Sequence, residues 1–175
     1  MSVTVKEFIS SEEVAKRIAE LGAAISKDYE GKELHMICVL KGGAFFMTEL
    51  AKKITVPVSL DFMNLSSYGN GTESQGRIKF VKDLDEPIEG KDVIVVEDII
   101  DSGRTLHYLL KVLEGRMPKS LKLCTLLDKP DRRVEEVKVD YVGFEIPDKF
   151  VVGYGLDYAQ HYRNLDYIGV LEGVE

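Results

Sequence analysis

Between Glu97 and Thr105 the chain reads EDIIDSGRT, three carboxylates within five positions followed at once by serine, glycine, arginine and threonine. Carboxylates repel one another and resist burial. A helix N-cap would account for one of them but not for Glu97 and Asp98 side by side. The pair suits hydroxyl groups, developing positive charge, or a hard divalent cation such as Mg²⁺. The tail, Asp101 to Thr105, suits a different ligand. Unpaired backbone N–H groups and the positive end of a helix dipole form an anion cradle. There Gly103 lets the backbone approach, and the Ser102 and Thr105 hydroxyls add hydrogen bonds. A sugar phosphate carries both features, hydroxyls and a phosphate monoester.

Such a motif needs elements to hold it. Ahead of it, DVIVVE (92–97) reads as a central strand buried on both faces, and residues 105–115 as the helix that follows. Upstream, Ser10 and Glu13 have the form of a capping box, with Val14, Ile18, Leu21 and Ile25 on one helical face. HMICVL (35–40) is a short apolar strand, and LKGGAFFMTELAKKI turns through Gly42–Gly43 into a second helix. Further strands are expected at 56–65, 78–84, 121–128, 139–146, 149–155 and 167–172. SSYGNGTESQGR (66–77) reads as a long mobile loop. Strands alternating with helices predict an α/β fold with a mainly parallel central sheet flanked by helices. In such sheets ligands gather at the carboxyl ends of the strands, where Glu97 to Thr105 would lie. With no repeat, linker or low-complexity segment, residues 1–175 are expected to form one domain.

Bulk properties are those of an ordinary soluble globular protein. The chain of 175 residues is 45% hydrophobic and 30% charged. A formal charge of −7 argues against a general binder of nucleic acid or anionic membranes, which reward a basic face. Cys38 and Cys124 sit inside apolar runs and read as buried free thiols of a reducing compartment. His35, His107 and His161 fall at no zinc-ligand spacing from them. The segment MSVTVKEFISSEE lacks a signal-peptide core and no run approaches a membrane span, so a cytoplasmic location is expected.

EDIIDSGRT resembles the phosphoribosyl-diphosphate signature of the type I phosphoribosyltransferases, and its form resembles their hypoxanthine-guanine branch. Other segments add to the likeness: LKGG (40–43) is similar to the family's diphosphate loop and SSYG (66–69) to the start of its active-site loop. LLDKP (126–130) and FEIPDKFVVGYGLDY (144–158) are similar to its purine pocket. The resemblance implies the type I fold, with a small hood built from the chain ends. It also implies purine salvage: transfer of phosphoribosyl from phosphoribosyl diphosphate to N9 of hypoxanthine or guanine, with Mg²⁺. Relatives are commonly dimers or tetramers, so a homodimer or homotetramer is implied, with neither nucleic acid nor membrane as partner.

Roles carry over residue by residue. Glu97 and Asp98 would meet the ribose hydroxyls and hold metal, and Asp101 would be general acid/base at N7, tuned by partial burial. The 5′-phosphate would sit on Asp101, Ser102, Gly103, Arg104 and Thr105. Arg104 reads equally well as a solvated charge. Diphosphate would be received by Lys41, Gly42, Ser67, Tyr68 and Arg163, although Gly42–Gly43 alone reads as a plain helix-entry turn and Arg163 as an ion-pair partner of Asp166. In relatives the Leu40–Lys41 peptide is often cis. Lys129 would donate to the purine 6-oxo group, Phe150 would stack on the base, and the Val151 main chain would meet its edge. Asp157 would hold a second Mg²⁺ beside the base. Closing of the 66–77 loop would exclude water. A different class of function remains, a regulator that senses phosphoribosyl diphosphate without turning it over.

Overall fold

The computed structural model describes residues 2–67 and 78–174. In chain order the elements are β1 (Thr4–Ile9), α1 (Ser11–Asp28), β2 (Leu34–Leu40), α2 (Gly43–Ala51), β3 (Val58–Ser67), β4 (Ile78–Lys82), β5 (Asp92–Ile100), α3 (Arg104–Glu114), β6 (Ser120–Asp128), β7 (Tyr141–Glu145), β8 (Val151–Val152) and β9 (Ile168–Glu172). A single 3-10 turn covers Pro130–Arg132. Six strands form one sheet in the order β4-β3-β2-β5-β6-β7, parallel except where β4 returns antiparallel to β3. Alternation along the strands divides the core between two faces. Met36, Cys38, Ile94, Val96 and Cys124 pack with α1 and α2, while Ile37, Val93, Val95 and Leu123 pack with α3. This is the mainly parallel, helix-flanked sheet that the pattern predicts, with β5 at its centre.

Local signals explain the helix starts. Ser10 Oγ accepts from the Glu13 N–H at 3.2 Å, and Glu13 Oε2 accepts from the Ser10 N–H at 2.8 Å, which completes the capping box. Helix α3 starts from Gly103, whose φ of 79° places it in the left-handed region with no side-chain cap.

A second, three-stranded sheet, β1-β9-β8, is the hood built from the chain ends. Its Ile9, Val151 and Ile168 join the same core as α1 and α2, so hood and main sheet share one interior.

Several boundaries differ from the sequence expectation. β1 was not expected, because TVKEFI buries only Ile9 and lacks a continuous apolar face. The strand expected over 149–155 shrinks to Val151–Val152, since Gly153, Tyr154 and Gly155 turn with φ of 94°, 50° and 96°. β3 begins at Val58 and runs on to Ser67, so residues 66–67, read as loop, are strand. The remainder of that expected loop, 68–77, lies outside the described residues, as does Tyr68. Cys38 and Cys124 are buried free thiols, as expected, and burial beside Glu97 and Asp98 pushes the Cys38 thiol up to about 12. Among the described residues no helix is long and apolar enough to cross a membrane.

Candidate active site

The site is assembled at the carboxyl ends of β2, β5 and β6. Strand β5 does not stop at Glu97 as its apolar run suggests; it continues to Ile100, paired with β6 from Asp92↔Ser120 to Ile100↔Asp128. Glu97 and Asp98 therefore belong to the rigid sheet. Asp98 Oδ1 accepts from the Ile99 N–H at 2.7 Å. Both acids are half-buried at the end of the sheet, which forms the floor of the site. Burial raises the Glu97 carboxyl well above the usual range, and the Asp98 charge adds to the shift. Asp98 is raised by burial too, against the opposing pull of the Ile99 N–H, its hydrogen bond with Glu97, and Arg163. The hydrogen bond between the two acids favours a proton on Glu97. Such a pair is poised for a cation or hydroxyl donors to relieve it.

Two glycines bring other loops onto this floor. The Leu40–Lys41 peptide that leads out of β2 is cis, and a Cβ at Gly42 would collide with the Asp98 carboxyl group. A Cβ at Gly155 would in turn collide with the Gly42 carbonyl. The hood turn, the Lys41–Gly42 loop and the β5 acids thus meet at distances only glycine permits. The exposed Lys41 flanks them. Arg163 is anchored from the hood side: Nη1 donates to the Gly155 carbonyl at 2.7 Å and Nη2 lies 3.3 Å from Asp157 Oδ1. Its carboxylate partner is Asp157, not Asp166, because the Gly155–Arg163 turn folds back on itself through the Gly155 N–H to Arg163 carbonyl bond of 2.9 Å.

Beyond β5 the chain forms the cradle. Gly103 is buried beneath residues 133–137, and a Cβ there would stand 2.7 Å from the Glu135 carbonyl oxygen and 2.9 Å from Arg133 Cδ. The Ser102 carbonyl accepts from the N–H groups of Val134 and Glu135 at 2.9 and 3.1 Å. Ser102 Oγ approaches only the Arg104 N–H, at 3.4 Å, so the first turn of α3 keeps its donors for a ligand. Arg104 and Thr105 are exposed.

A cavity of about 320 Å³ opens beside the cradle, lined in part by Asp101, Lys129, Phe150, Val151 and Asp157. Lys129 is only 7% exposed, and its Nζ lies 3.5 Å from Asp101 Oδ1 and 3.8 Å from Asp148 Oδ1. Phe150 is 50% exposed and makes a T-shaped contact with Tyr158, at 5.8 Å between centroids and 87° between planes. An aromatic this exposed is not core, and its exposed half, lining the cavity, suits a planar ligand. Asp101 lines the same cavity with its side chain 50% exposed. Among the described residues no three His, Cys, Asp or Glu side chains converge as a metal cluster, so Asp157 does not complete a cage with Glu97 and Asp98.

A phosphoribosyl transferase domain model matches residues 4–159. The chain belongs to that family. It is 53% identical over 167 residues to the hypoxanthine-guanine phosphoribosyltransferase of Bacillus subtilis, covering 95% of this chain and 93% of the relative. It is 54% identical to the bifunctional protein TilS/HprT of Listeria monocytogenes, of whose length it spans 26%. The crystal structure of a Bacillus anthracis hypoxanthine-guanine phosphoribosyltransferase superposes with a TM-score of 0.92 at 46% identity, covering 98% of this chain and 100% of the other.

Within the phosphoribosyl transferase fold, the residues missed by sequence reasoning are those that hold the expected ones. Asp148 and Arg132 line the cavity of about 320 Å³ beside Lys129, and Asp128 pairs with Arg133 behind it. The only sequence signal was charge: DKPDRR and IPDK place acids and bases at turn positions without saying which of them meet.

Proposed function

We propose that the chain is a single phosphoribosyltransferase domain that transfers the 5-phosphoribosyl group of phosphoribosyl diphosphate to N9 of hypoxanthine and guanine, releasing diphosphate. The observation that carries this reading is the reach of one strand end. β5 brings a strained acid pair against the Gly42 loop and leads straight into the open α3 N-terminus, where Asp101 lies 3.5 Å from the buried Lys129. Identity of about half the residues with enzymes named for this reaction supports it.

In this reading the 5′-phosphate lies on the N–H groups and hydroxyls from Asp101 to Thr105. Glu97 and Asp98 accept hydrogen bonds from the ribose 2′ and 3′ hydroxyls. As the bond from C1′ to diphosphate breaks and the bond to N9 forms, the ribose becomes cation-like. The fixed negative charge on β5 then stabilises it more than the ground state. Lys129 donates to the 6-oxo group, and Phe150 stacks on the ring. Asp101 accepts the proton that leaves N7 as N9 bonds to C1′, and returns it in the reverse direction. Lys41, Gly42 and Arg163 receive the departing diphosphate.

The oxygen-only, charge-crowded pair Glu97–Asp98 fits Mg²⁺, which takes one or two carboxylates and keeps its waters; Asp157 is a separate second position. When bound there, Mg²⁺ supplies charge neutralisation for the diphosphate. A cytoplasmic location and a homodimer or homotetramer complete the proposal.

The test is diphosphate release from phosphoribosyl diphosphate and Mg²⁺ with hypoxanthine, guanine, xanthine or adenine offered singly. Turnover with hypoxanthine and guanine far above that with adenine is the expected result. Binding of phosphoribosyl diphosphate with no turnover of any base would overturn it and favour the sensor.

A further inference from the structure

We infer that the Asp128–Arg133 ion pair is a positioning device. It fixes the distance between the base-reading Lys129 and the proton-handling Asp101, and so sets purine discrimination. The inference rests on the proposed phosphoribosyl transfer to purines. Asp128 is the last residue of β6, registered opposite Ile100 of β5 on one side and Glu145 of β7 on the other. Lys129 follows immediately, and its N–H donates to the Ile100 carbonyl at 3.0 Å. The chain then makes the 3-10 turn Pro130–Arg132 and returns Arg133 to the same place. Arg133 Nη2 pairs with Asp128 Oδ1, closing the turn on itself. Its Nε donates to the Asp101 carbonyl oxygen at 3.2 Å.

One guanidinium therefore holds both ends of the working pair. It grips the residue before Lys129 by a carboxylate, and Asp101 by its main chain. The pair is well shielded, with side chains 18% and 13% exposed, so solvent screens it little. Its planar fork suits two acceptors at a fixed angle, which a lysine ammonium does not reproduce. The next residues continue the clamp, since the Val134 and Glu135 N–H groups both donate to the Ser102 carbonyl. Nothing in this arrangement needs Arg133 to reach the ligand. It acts through Lys129 and Asp101, holding Nζ 3.5 Å from Oδ1.

A base read at its 6-position by one group and at N7 by another is discriminated only while the spacing of those groups is fixed. Loosening that spacing by an ångström is worth about 100-fold in rate for reactions that depend on orientation. Adenine, which gains nothing from a Lys129 donor, would lose far less than hypoxanthine.

The experiment compares Arg133→Gln, Asp128→Asn, the double variant and Arg133→Lys with the wild-type protein. It measures kcat and KM for hypoxanthine and adenine at saturating phosphoribosyl diphosphate and Mg²⁺, with Tm alongside. Both single variants are expected to lose about 10- to 100-fold in kcat/KM for hypoxanthine. The hypoxanthine-to-adenine ratio should collapse with them, the double variant should be no worse than the singles, and Arg133→Lys should restore only part. The KM for phosphoribosyl diphosphate, taken separately at saturating hypoxanthine, should change little. A fall in Tm with the ratio preserved, or additive losses in the double variant, would overturn the positioning role. Should a variant fail to fold, Arg133→Lys carries the same comparison. Wild-type protein that turns over neither base would instead remove the underlying functional reading.

Discussion

Replacing Gly103 by alanine tests whether the cradle is built as described. Two costs can be separated. The φ of 79° places a Cβ in the left-handed region, at about 1–2 kcal/mol for an L-residue. The added methyl would also stand 2.7 Å from the Glu135 carbonyl oxygen, 2.9 Å from Arg133 Cδ and 3.0 Å from Val137 Cγ2. Overpacking of this kind costs about 1–3 kcal/mol, because a backbone carbonyl cannot step aside as a side-chain end can. The sum, about 2–5 kcal/mol, corresponds to a fall in Tm of about 4–20 °C at this chain length. Gly90 provides the control: its φ is 71° and a Cβ there meets nothing within 4 Å, so Gly90→Ala should show the conformational cost alone. Thermal unfolding of both variants, followed by KM for phosphoribosyl diphosphate, is the assay. Gly103→Ala should be the less stable of the two and should raise that KM, because relief of the clash displaces the 102–105 turn. Equal Tm values for the two variants would refute the packing argument. An unchanged KM in Gly103→Ala would refute the placement of phosphate on this turn.

Glu97→Gln should stabilise the protein and impair it together. The raised Glu97 carboxyl keeps its proton in the folded state after the unfolded chain has lost it, so its contribution to stability is present below the unfolded value and is lost as pH rises through the folded one. The Tm advantage of the variant should therefore grow with pH while turnover falls, and a pH-independent difference would contradict the strained-pair account. Lys129→Met should lower kcat/KM for hypoxanthine by about 10- to 100-fold, the worth of one charged hydrogen bond, with little effect on adenine; equal losses for both bases would remove its role in selection. Ser10→Ala, far from the chemistry, should cost about 1 kcal/mol and about 2–4 °C in Tm with kcat unchanged, and a change in kcat would show that α1 is coupled to the site.

The parts of the site that were legible in the sequence were those encoded by local pattern. The capping box starts α1, the apolar run 93–96 is the buried centre of β5, and the acids and small residues after it mark the ligand end of a parallel sheet. What could not be read was set by long-range pairing. Nothing in EDIIDS shows that β6 extends the ladder past Glu97 to Ile100, fixing the acids in the sheet. Arg163 has two acids near it in sequence, and only the left-handed turns at Ala159, Gln160 and Tyr162 decide that it meets Asp157. Likewise TVKEFI looks polar until β9 is placed beside it. Phe150 is 50% exposed although it stands in an apolar run, and the sequence does not show that β8 begins only after it, at Val151.

The central claim, that the turn between β5 and α3 performs the chemistry, is tested most directly by Asp101→Asn. The measurement is kcat for hypoxanthine together with the Kd of phosphoribosyl diphosphate for wild-type and variant protein in Mg²⁺. The account predicts a loss in kcat of about 10²- to 10⁴-fold, typical of removing a general acid/base, with phosphoribosyl diphosphate still bound by the backbone cradle. Unchanged kcat in a variant that binds normally would contradict it.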